Sequence, residues 1–406
     1  MDRKSEGNDD MKKIMAVNAG SSSLKFQLLE MPDEVVIAEG IVERIGLKDA
    51  YYTIKFNGDK HREVLPVENH GVAVDILLKD LIKQGIIKSL NEIVGVGHRI
   101  VHGGEKFDQS VLIDKAVVEE IRVLCDLAPL HNPAHLIGIL AFKKALPDVK
   151  QVAVFDTAFH QTMPKETYLY ATPYEWYTDY GIRKYGAHGT SHEYVAHEAA
   201  KLMGKPIEDL KIVTLHLGNG ASLAAIKGGK CIDTSMGLTP LEGIPMGTRS
   251  GNIDPAVIEF IANKKGYTIS EVLNILNKKS GYLGVSGVSN DSRDLENGIE
   301  KGNERCRLAL DIQYKRIADY IGSYYVQLGG IDAIVFTAGI GENSDRCRSE
   351  ILARIKVLGV ELDPIANNVR GKVTLITTPQ SKIKAFLIPT NEELVIARDT
   401  LRLINK

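Results

Sequence analysis

Three segments of this 406-residue chain set a cation among glycines and hydroxyls: His98-Arg99-Ile100-Val101-His102-Gly103-Gly104, Gly186-Ala187-His188-Gly189-Thr190-Ser191-His192 and Met246-Gly247-Thr248-Arg249-Ser250-Gly251. Glycine lets a backbone come close to a ligand, and a cation beside it can neutralise charge on a transferring phosphoryl group. The plainer alternative for Arg99 and Arg249 is a structural ion pair. Three Gly-rich turns accompany them: Gly20-Ser21-Ser22-Ser23, Gly218-Asn219-Gly220 and Ala338-Gly339-Ile340-Gly341-Glu342-Asn343. In the first, Asn18, Gly20, the serines and Lys25 gather where the backbone reverses, offering N–H groups, hydroxyls and an ammonium to phosphate oxygens. Taken alone, that segment also reads as a hairpin with a polar loop. Neither GxxxxGK[ST] nor a complete GxGxxG occurs. Three such turns, each ending a buried strand, fit a nucleotide held between two domains.

Two carboxylates stand at useful places. Asp156 ends the apolar run Val152–Phe155, and Glu392 follows Pro389-Thr390-Asn391 at a predicted helix start. Thr390 and Glu393 have capping-box spacing, which would leave Glu392 to face a ligand. Histidines four apart (His98/His102, His131/His135, His188/His192) have zinc spacing on a helix. Pro133 and the neighbouring glycines argue against continuous helix there, and His192-Glu193 followed by His197 misses HExxH by one residue.

The elements that must position these groups alternate between strand and helix, the signature of an α/β protein. Ile93–Val96, Val152–Phe155, Ile212–Leu217 and Ile334–Thr337 read as buried strands. Lys115–Leu124 and Arg307–Leu328 read as helices, the second placing Leu308, Ile312, Tyr314, Ile317, Ile321 and Tyr325 largely on one face and ending at Gly329-Gly330. Ile14–Phe26 and Val213–Ile226 share one design, an apolar run, a Gly/Ser/Asn turn and an apolar return. The echo suggests two related domains; chance resemblance between two hairpins is the alternative.

Bulk properties narrow the partners. Charged residues make up 25% and hydrophobic ones 44%, with a formal net charge of −2, which gives no electrostatic reason to expect nucleic acid or an anionic membrane. No apolar run is long enough to cross a bilayer, and no signal-peptide pattern is present. Cys125, Cys231, Cys306 and Cys347 are scattered without a CxxC pair, as expected of reduced thiols in a cytoplasmic protein. Residues 1–10, polar after the first methionine, are expected to be a disordered extension.

From Met11 to Lys406 the chain resembles the acetate kinase family. Asn18-Ala-Gly-Ser-Ser-Ser-Leu-Lys25, Gly186–His192, and Asp233-Thr-Ser-Met-Gly237 through Gly247–Gly251 resemble the family's signatures. His98–Glu105, Phe155–His160, Gly339–Asn343 and Pro389–Leu394 stand where the family has its other motifs. The resemblance implies an α/β fold with two related ribonuclease H-like (actin-like ATPase) domains around a central nucleotide cleft. It places the metal and acyl-substrate side on residues 11–157 plus 389–406 and the nucleotide side on residues 158–388.

The resemblance also implies roles. Asn18 and Glu392 would bind Mg2+, with Mn2+ as a substitute. ATP or ADP would contact Lys25, the turn His216-Leu217-Gly218-Asn219-Gly220, Asp291-Ser292-Arg293 and Gly339-Ile340-Gly341-Glu342-Asn343. Arg99 would hold the carboxylate; Val101, Leu130, Ala187 and Pro240 would line the methyl pocket; His188 and Arg249 would stabilise the transition state; Asp156 is the active-site aspartate. The expected protein is a cytoplasmic homodimer transferring the ATP γ-phosphoryl group to acetate. Acetate is ionised near neutral pH, so Asp156 is expected to position a cation, the metal or its water rather than abstract a proton. Double displacement through a phosphorylated carboxylate is the alternative mechanism.

One residue departs from the pattern. The family has Phe before the histidine of Gly-Phe-His-Gly-Thr-Ser-His, and here it is Ala187. The smaller side chain makes a propionate or butyrate kinase the nearest alternative. A superfamily ATPase that forms no acyl phosphate is the alternative of a different class.

Overall fold

A computed structural model describes residues 11–406; the extension expected at residues 1–10 lies outside them. The chain divides into two compact units, residues 11–158 with Asn391–Lys406 and Phe159–Thr390. No helix of the described residues is long and apolar enough to cross a membrane.

The first unit is built on eight strands: β1 Lys12–Gly20, β2 Ser23–Met31, β3 Val35–Glu43, β4 Tyr51–Phe56, β5 Asp59–Val64, β6 Ile93–Ile100, β7 Val111–Leu112 and β8 Lys150–Phe155. Their order is β5-β4-β3-β2-β1-β6-β8-β7. The second unit has β9 Lys211–Leu217, β10 Ala221–Lys227, β11 Lys230–Thr234, β12 Ala333–Thr337, β13 Thr374–Leu375 and β14 Lys384–Leu387, ordered β11-β10-β9-β12-β14-β13. Both sheets share one plan. An antiparallel meander (β3-β2-β1, β11-β10-β9) continues through a strand parallel to the first (β6, β12) and another parallel to that (β8, β14). This is the ribonuclease H-like order, present twice. The hairpin echo between Ile14–Phe26 and Val213–Ile226 is therefore a topological duplication.

The apolar runs form strands because their sheets are covered. Ile14, Met15, Ala16 and Val17 are consecutive and all buried, as expected of an interior strand packed on both faces. The polar turn is short: Asn18 pairs with Lys25 and Gly20 with Ser23, leaving Ser21-Ser22 as a two-residue loop.

Small residues decide how closely helices approach this sheet. A Cβ on Gly97 in β6 would lie 2.3 Å from Thr400 Oγ1 and 2.4 Å from Ile396 Cγ2, and one on Gly95 2.8 Å from Thr400 Cγ2. Both contacts belong to the helix Glu392–Ile404. Glycine in β6 thus brings this helix, and Glu392 at its start, against the strand that carries Arg99.

Helix ends correct three sequence expectations. Pro133 sits in the first turn of the helix Asn132–Ala145, where its missing N–H is an orphan in any case, so His135 is helical after all. The helix Gly189–Met203 begins directly after His188, so the glycines do not prevent helix there either. The predicted Thr390–Glu393 capping box is absent. Asn391 is the cap and accepts from the Leu394 N–H at 3.1 Å, Thr390 shares its hydroxyl with Ser191 at 2.8 Å, and Glu393 pairs with Lys25. Asn is as good a cap as Thr, and one step of register places Glu392 as the first helical residue.

The long helix of the second unit starts earlier than predicted, at Glu304, where Asn303 caps it, and ends at Gly329 in the left-handed region. Its buried stripe is Leu310, Tyr314, Ile317, Ile321, Tyr324 and Leu328. The predicted face shared the middle of this stripe but included Leu308, which is 51% exposed; the register i, i+4, i+7 from Leu310 runs on the neighbouring line.

Gly97→Ala should lower the stability of the first unit by about 1–3 kcal/mol, the range for overpacking a filled contact. Urea unfolding followed by circular dichroism would show an earlier midpoint; an unchanged midpoint would contradict the close helix–strand approach.

Candidate active site

In the first unit the candidate residues collect at the carboxyl ends of parallel strands, where ligands of open α/β sheets bind. Arg99 is the penultimate residue of β6, and Asp156 follows β8 directly. The Asp156 N–H donates to the Ile100 carbonyl at 2.9 Å, so the strand ends are held side by side. Arg99 Nε donates to Asp156 Oδ1 at 3.0 Å and Nη2 to Oδ2 at 2.7 Å. Asp156 is 1% exposed and the Arg99 side chain 20%. Burial alone would weaken the charge on Arg99, but the Asp156 and Glu392 carboxylates outweigh it and raise its pKa.

Glu392 belongs to the same electrostatic cluster. Burial pushes its pKa above the ordinary carboxylate range; Arg99 pulls it down and Asp156 pushes it up. Its Oε1 is buried without a hydrogen-bond partner. Lys25, opposite Asn18 across the hairpin, reaches Glu393 rather than Glu392. Val101, just past β6, is buried, whereas Leu130 is 60% exposed in the loop before the helix Asn132–Ala145. His135, read from sequence only as a zinc spacing, joins this cluster: it is buried, and burial with the nearby Arg99 charge pushes its pKa down to about 3.

The second unit assembles a different set. His188 precedes a helix in the left-handed region at φ 57°, a conformation costing a non-glycine residue about 1–2 kcal/mol and one that clusters at functional sites. Its ring stacks on His216 at 4.1 Å between centroids, and its Nδ1 meets Ser222 Oγ at 2.9 Å. Gly220 makes room for the side chains of Arg249 and His188. A Cβ there would stand 3.5 Å from Arg249 Nη1 and 3.8 Å from His188 Nε2. Arg249 Nη1 donates to the Pro240 carbonyl at 3.3 Å, and burial lowers the pKa of its guanidinium. Among the described residues it has no carboxylate partner, so the ion-pair alternative holds for Arg99 and fails for Arg249. Ala187 is buried in the main core of this unit, which also contains Met236 and Met246, and its carbonyl accepts from His160 Nε2 at 2.8 Å.

A cavity of about 680 Å³ in the second unit is lined by Gly218, Asn219, Asp291, Ser292, Arg293, Gly339, Ile340 and Asn343. Asn290, Glu296, Ser344 and Arg370 complete the wall; sequence reasoning missed them because they sit in no Gly-rich turn. Asp291 caps the helix Ser292–Glu300 through the Arg293 N–H at 2.9 Å. Leu217, Gly341 and Glu342, also expected at the nucleotide, are not among the lining residues. Leu217 is fully buried, the Gly341 carbonyl accepts from the buried Arg348 at 2.9 Å, and Glu342 Oε1 accepts from the Thr390 N–H at 3.1 Å. A cavity rimmed by glycines, three side-chain amides and two guanidiniums has the size and donors for a nucleotide.

These features agree with the comparisons to known proteins. The family model described as the Acetokinase family matches residues 13–398. The chain is 60% identical to the acetate kinase of Geobacillus kaustophilus (strain HTA426) over 395 residues, covering 97% of this chain and 100% of that protein. A crystal structure of Porphyromonas gingivalis acetate kinase superposes with a TM-score of 0.93 at 46% identity, covering 97% of this chain and 100% of that one. A propionate kinase from Francisella tularensis subsp. tularensis SCHU S4 gives 0.92 at 42% identity with the same coverage. This chain belongs to the acetokinase family.

Proposed function

We propose that the chain catalyses reversible transfer of the γ-phosphoryl group of ATP to acetate, giving acetyl phosphate and ADP, by direct in-line displacement. A bond forms between an acetate oxygen and the γ-phosphorus as the bond from that phosphorus to the β,γ-bridging oxygen breaks. The observation that carries this reading is the Arg99–Asp156 pair. Both Asp156 oxygens are engaged by the guanidinium, so Asp156 is occupied with orienting a cation. A hydroxyl acceptor needs a base to take its proton; a carboxylate acceptor has none to give up. The main barrier is bringing an anion to a polyanion, which positioned positive charge lowers.

In this reading Arg99 binds the carboxylate, and Val101, Leu130, Ala187 and Pro240 line the acyl pocket. His188 and Arg249 meet charge developing on the transferring group. Nucleotide contacts fall to Lys25, His216–Gly220, Asp291–Arg293 and Gly339–Asn343. Glu392, with its unpartnered carboxylate oxygen, and Asn18 offer the oxygen donors that Mg2+ prefers, and Mn2+ suits the same donors. The ion would supply charge neutralisation on the phosphates. A cytoplasmic homodimer is part of the proposal: the dimer rests on the family resemblance alone, and the four free thiols fit a reducing compartment.

Trapping the product with hydroxylamine across a series of acids tests the reaction. Acetyl hydroxamate should form with ATP and acetate; no hydroxamate from any acid would leave only an ATPase. Asp156→Asn should reduce kcat about tenfold or more, the effect of losing about 1.4 kcal/mol of transition-state stabilisation with the group that orients Arg99, and a variant retaining most of its kcat would remove Asp156 from the mechanism.

Ala187 favours a second reading, broader acyl specificity. Each methylene buried contributes about 0.8 kcal/mol, and pockets discriminate single methylenes by only about 1–3 kcal/mol. Ala187→Phe should therefore shift kcat/KM toward acetate relative to propionate and butyrate. Identical chain-length profiles in both proteins would mean that residue 187 does not set the length of the acyl pocket.

A further inference from the structure

Behind His188 runs a buried chain of hydrogen bonds with a direction that can be derived. His188 Nδ1 meets Ser222 Oγ at 2.9 Å, the same oxygen meets His192 Nε2 at 2.8 Å, and His192 Nδ1 meets Thr214 Oγ1 at 2.7 Å. Ser222, His192 and Thr214 are all fully buried. Each ring nitrogen of a neutral imidazole either donates or accepts, and each hydroxyl has a single proton.

The far end fixes the direction. Among the described residues the Thr214 hydroxyl has His192 Nδ1 as its sole side-chain partner, and no backbone acceptor is hydrogen-bonded to it. If it accepted there, its own proton would be buried without an acceptor, the costly arrangement in an interior. It therefore donates to Nδ1. Neutral His192 then carries its proton on Nε2 and donates to Ser222, whose hydroxyl has only His188 Nδ1 left to donate to. Burial, reinforced by His160 and His216, pushes the His192 pKa down and keeps this ring neutral. Even a charged His192 would donate to Ser222, so the last link is the same.

We infer that Thr214, His192 and Ser222 form a directional relay that fills Nδ1 of His188 with a donated hydrogen bond and so holds the His188 proton on Nε2. Nε2 is the nitrogen on the Gly220 side: it and Arg249 Nη1 stand 3.8 and 3.5 Å from where a Cβ on Gly220 would lie. A neutral His188 thus presents an N–H there beside a guanidinium, without having to become a second cation next to the first. Thr214, His192 and Ser222 are positioning residues; none needs to touch substrate. The role in phosphoryl transfer rests on the assignment of His188 proposed above, whereas the direction of the relay stands on the hydrogen bonds alone.

Histidine-selective 15N labelling with two-bond 1H–15N correlation spectra distinguishes the protonated ring nitrogen directly. His188 signals are identified by their loss in His188→Asn. In the unmodified protein His188 should be protonated on Nε2 and bare at Nδ1; a proton on Nδ1 overturns the inference with no variant required. Thr214→Val keeps the side-chain shape and removes the terminal donor. It should show both His188 tautomers and lower kcat by about two- to tenfold, the span of one buried hydrogen bond expressed as a rate, with both KM values within about twofold. Thr214→Ser should restore spectrum and kcat together. An unchanged His188 spectrum in Thr214→Val overturns the relay, and a changed spectrum with unchanged kcat overturns its catalytic bearing. If the unmodified protein forms no acyl phosphate, the proposed reaction fails, and the spectrum still decides the relay.

Discussion

A partly buried guanidinium must be held in one orientation, and the candidate site of the first unit is organised by that constraint. Asp156 holds Arg99 through two parallel hydrogen bonds, geometry that fixes a planar guanidinium in orientation as well as position. The pair is possible because β6 and β8 are parallel neighbours whose ends coincide. Glu392 then meets a cluster already carrying one negative and one positive group, and its own charge is left unmatched. The surplus carboxylate marks where a further cation would be welcome. The glycines of β6 are what permit the helix bearing Glu392 to come so near.

The second unit meets the same need differently. Arg249 has no carboxylate among the described residues, and its neighbours are a carbonyl, a thioether and the His188 ring beyond Gly220. Holding a partly buried guanidinium without a carboxylate partner carries a desolvation cost, which an anion bound there would offset in the proposed reaction. The neutral, directionally hydrogen-bonded His188 fits beside it because it adds a donor without a second full charge. In the proposed reaction, donors fixed in this way would be in place before charge moves.

Much of this was legible in the sequence, for identifiable reasons. Buried strands announce themselves as short apolar runs, so β6, β8, β9 and β12 could be located, and a Gly/Ser turn between two such runs located both hairpins. Cations beside glycines pointed to Arg99, His188 and Arg249. Helix starts were less legible, because Asn391 and Thr390 are both competent caps and only packing decides between them. Pro133 and Gly189 read as breakers but serve in first turns. The relay through Ser222 and Thr214 left no local signature: it joins residues on a helix and two strands, and hydroxyls inside apolar runs look like any other strand serine or threonine. Asn290, Glu296 and Arg370 entered the wall of the second unit's cavity through tertiary structure alone.

The central claim is that an acceptor already carrying its negative charge attacks phosphorus directly, with the side chains orienting and neutralising rather than forming a bond. The most direct measurement is the stereochemical course at a chiral, isotopically labelled γ-phosphate transferred to acetate. A single in-line displacement predicts inversion of configuration at phosphorus. Retention would mean two displacements through a phosphorylated side chain, and would contradict the account.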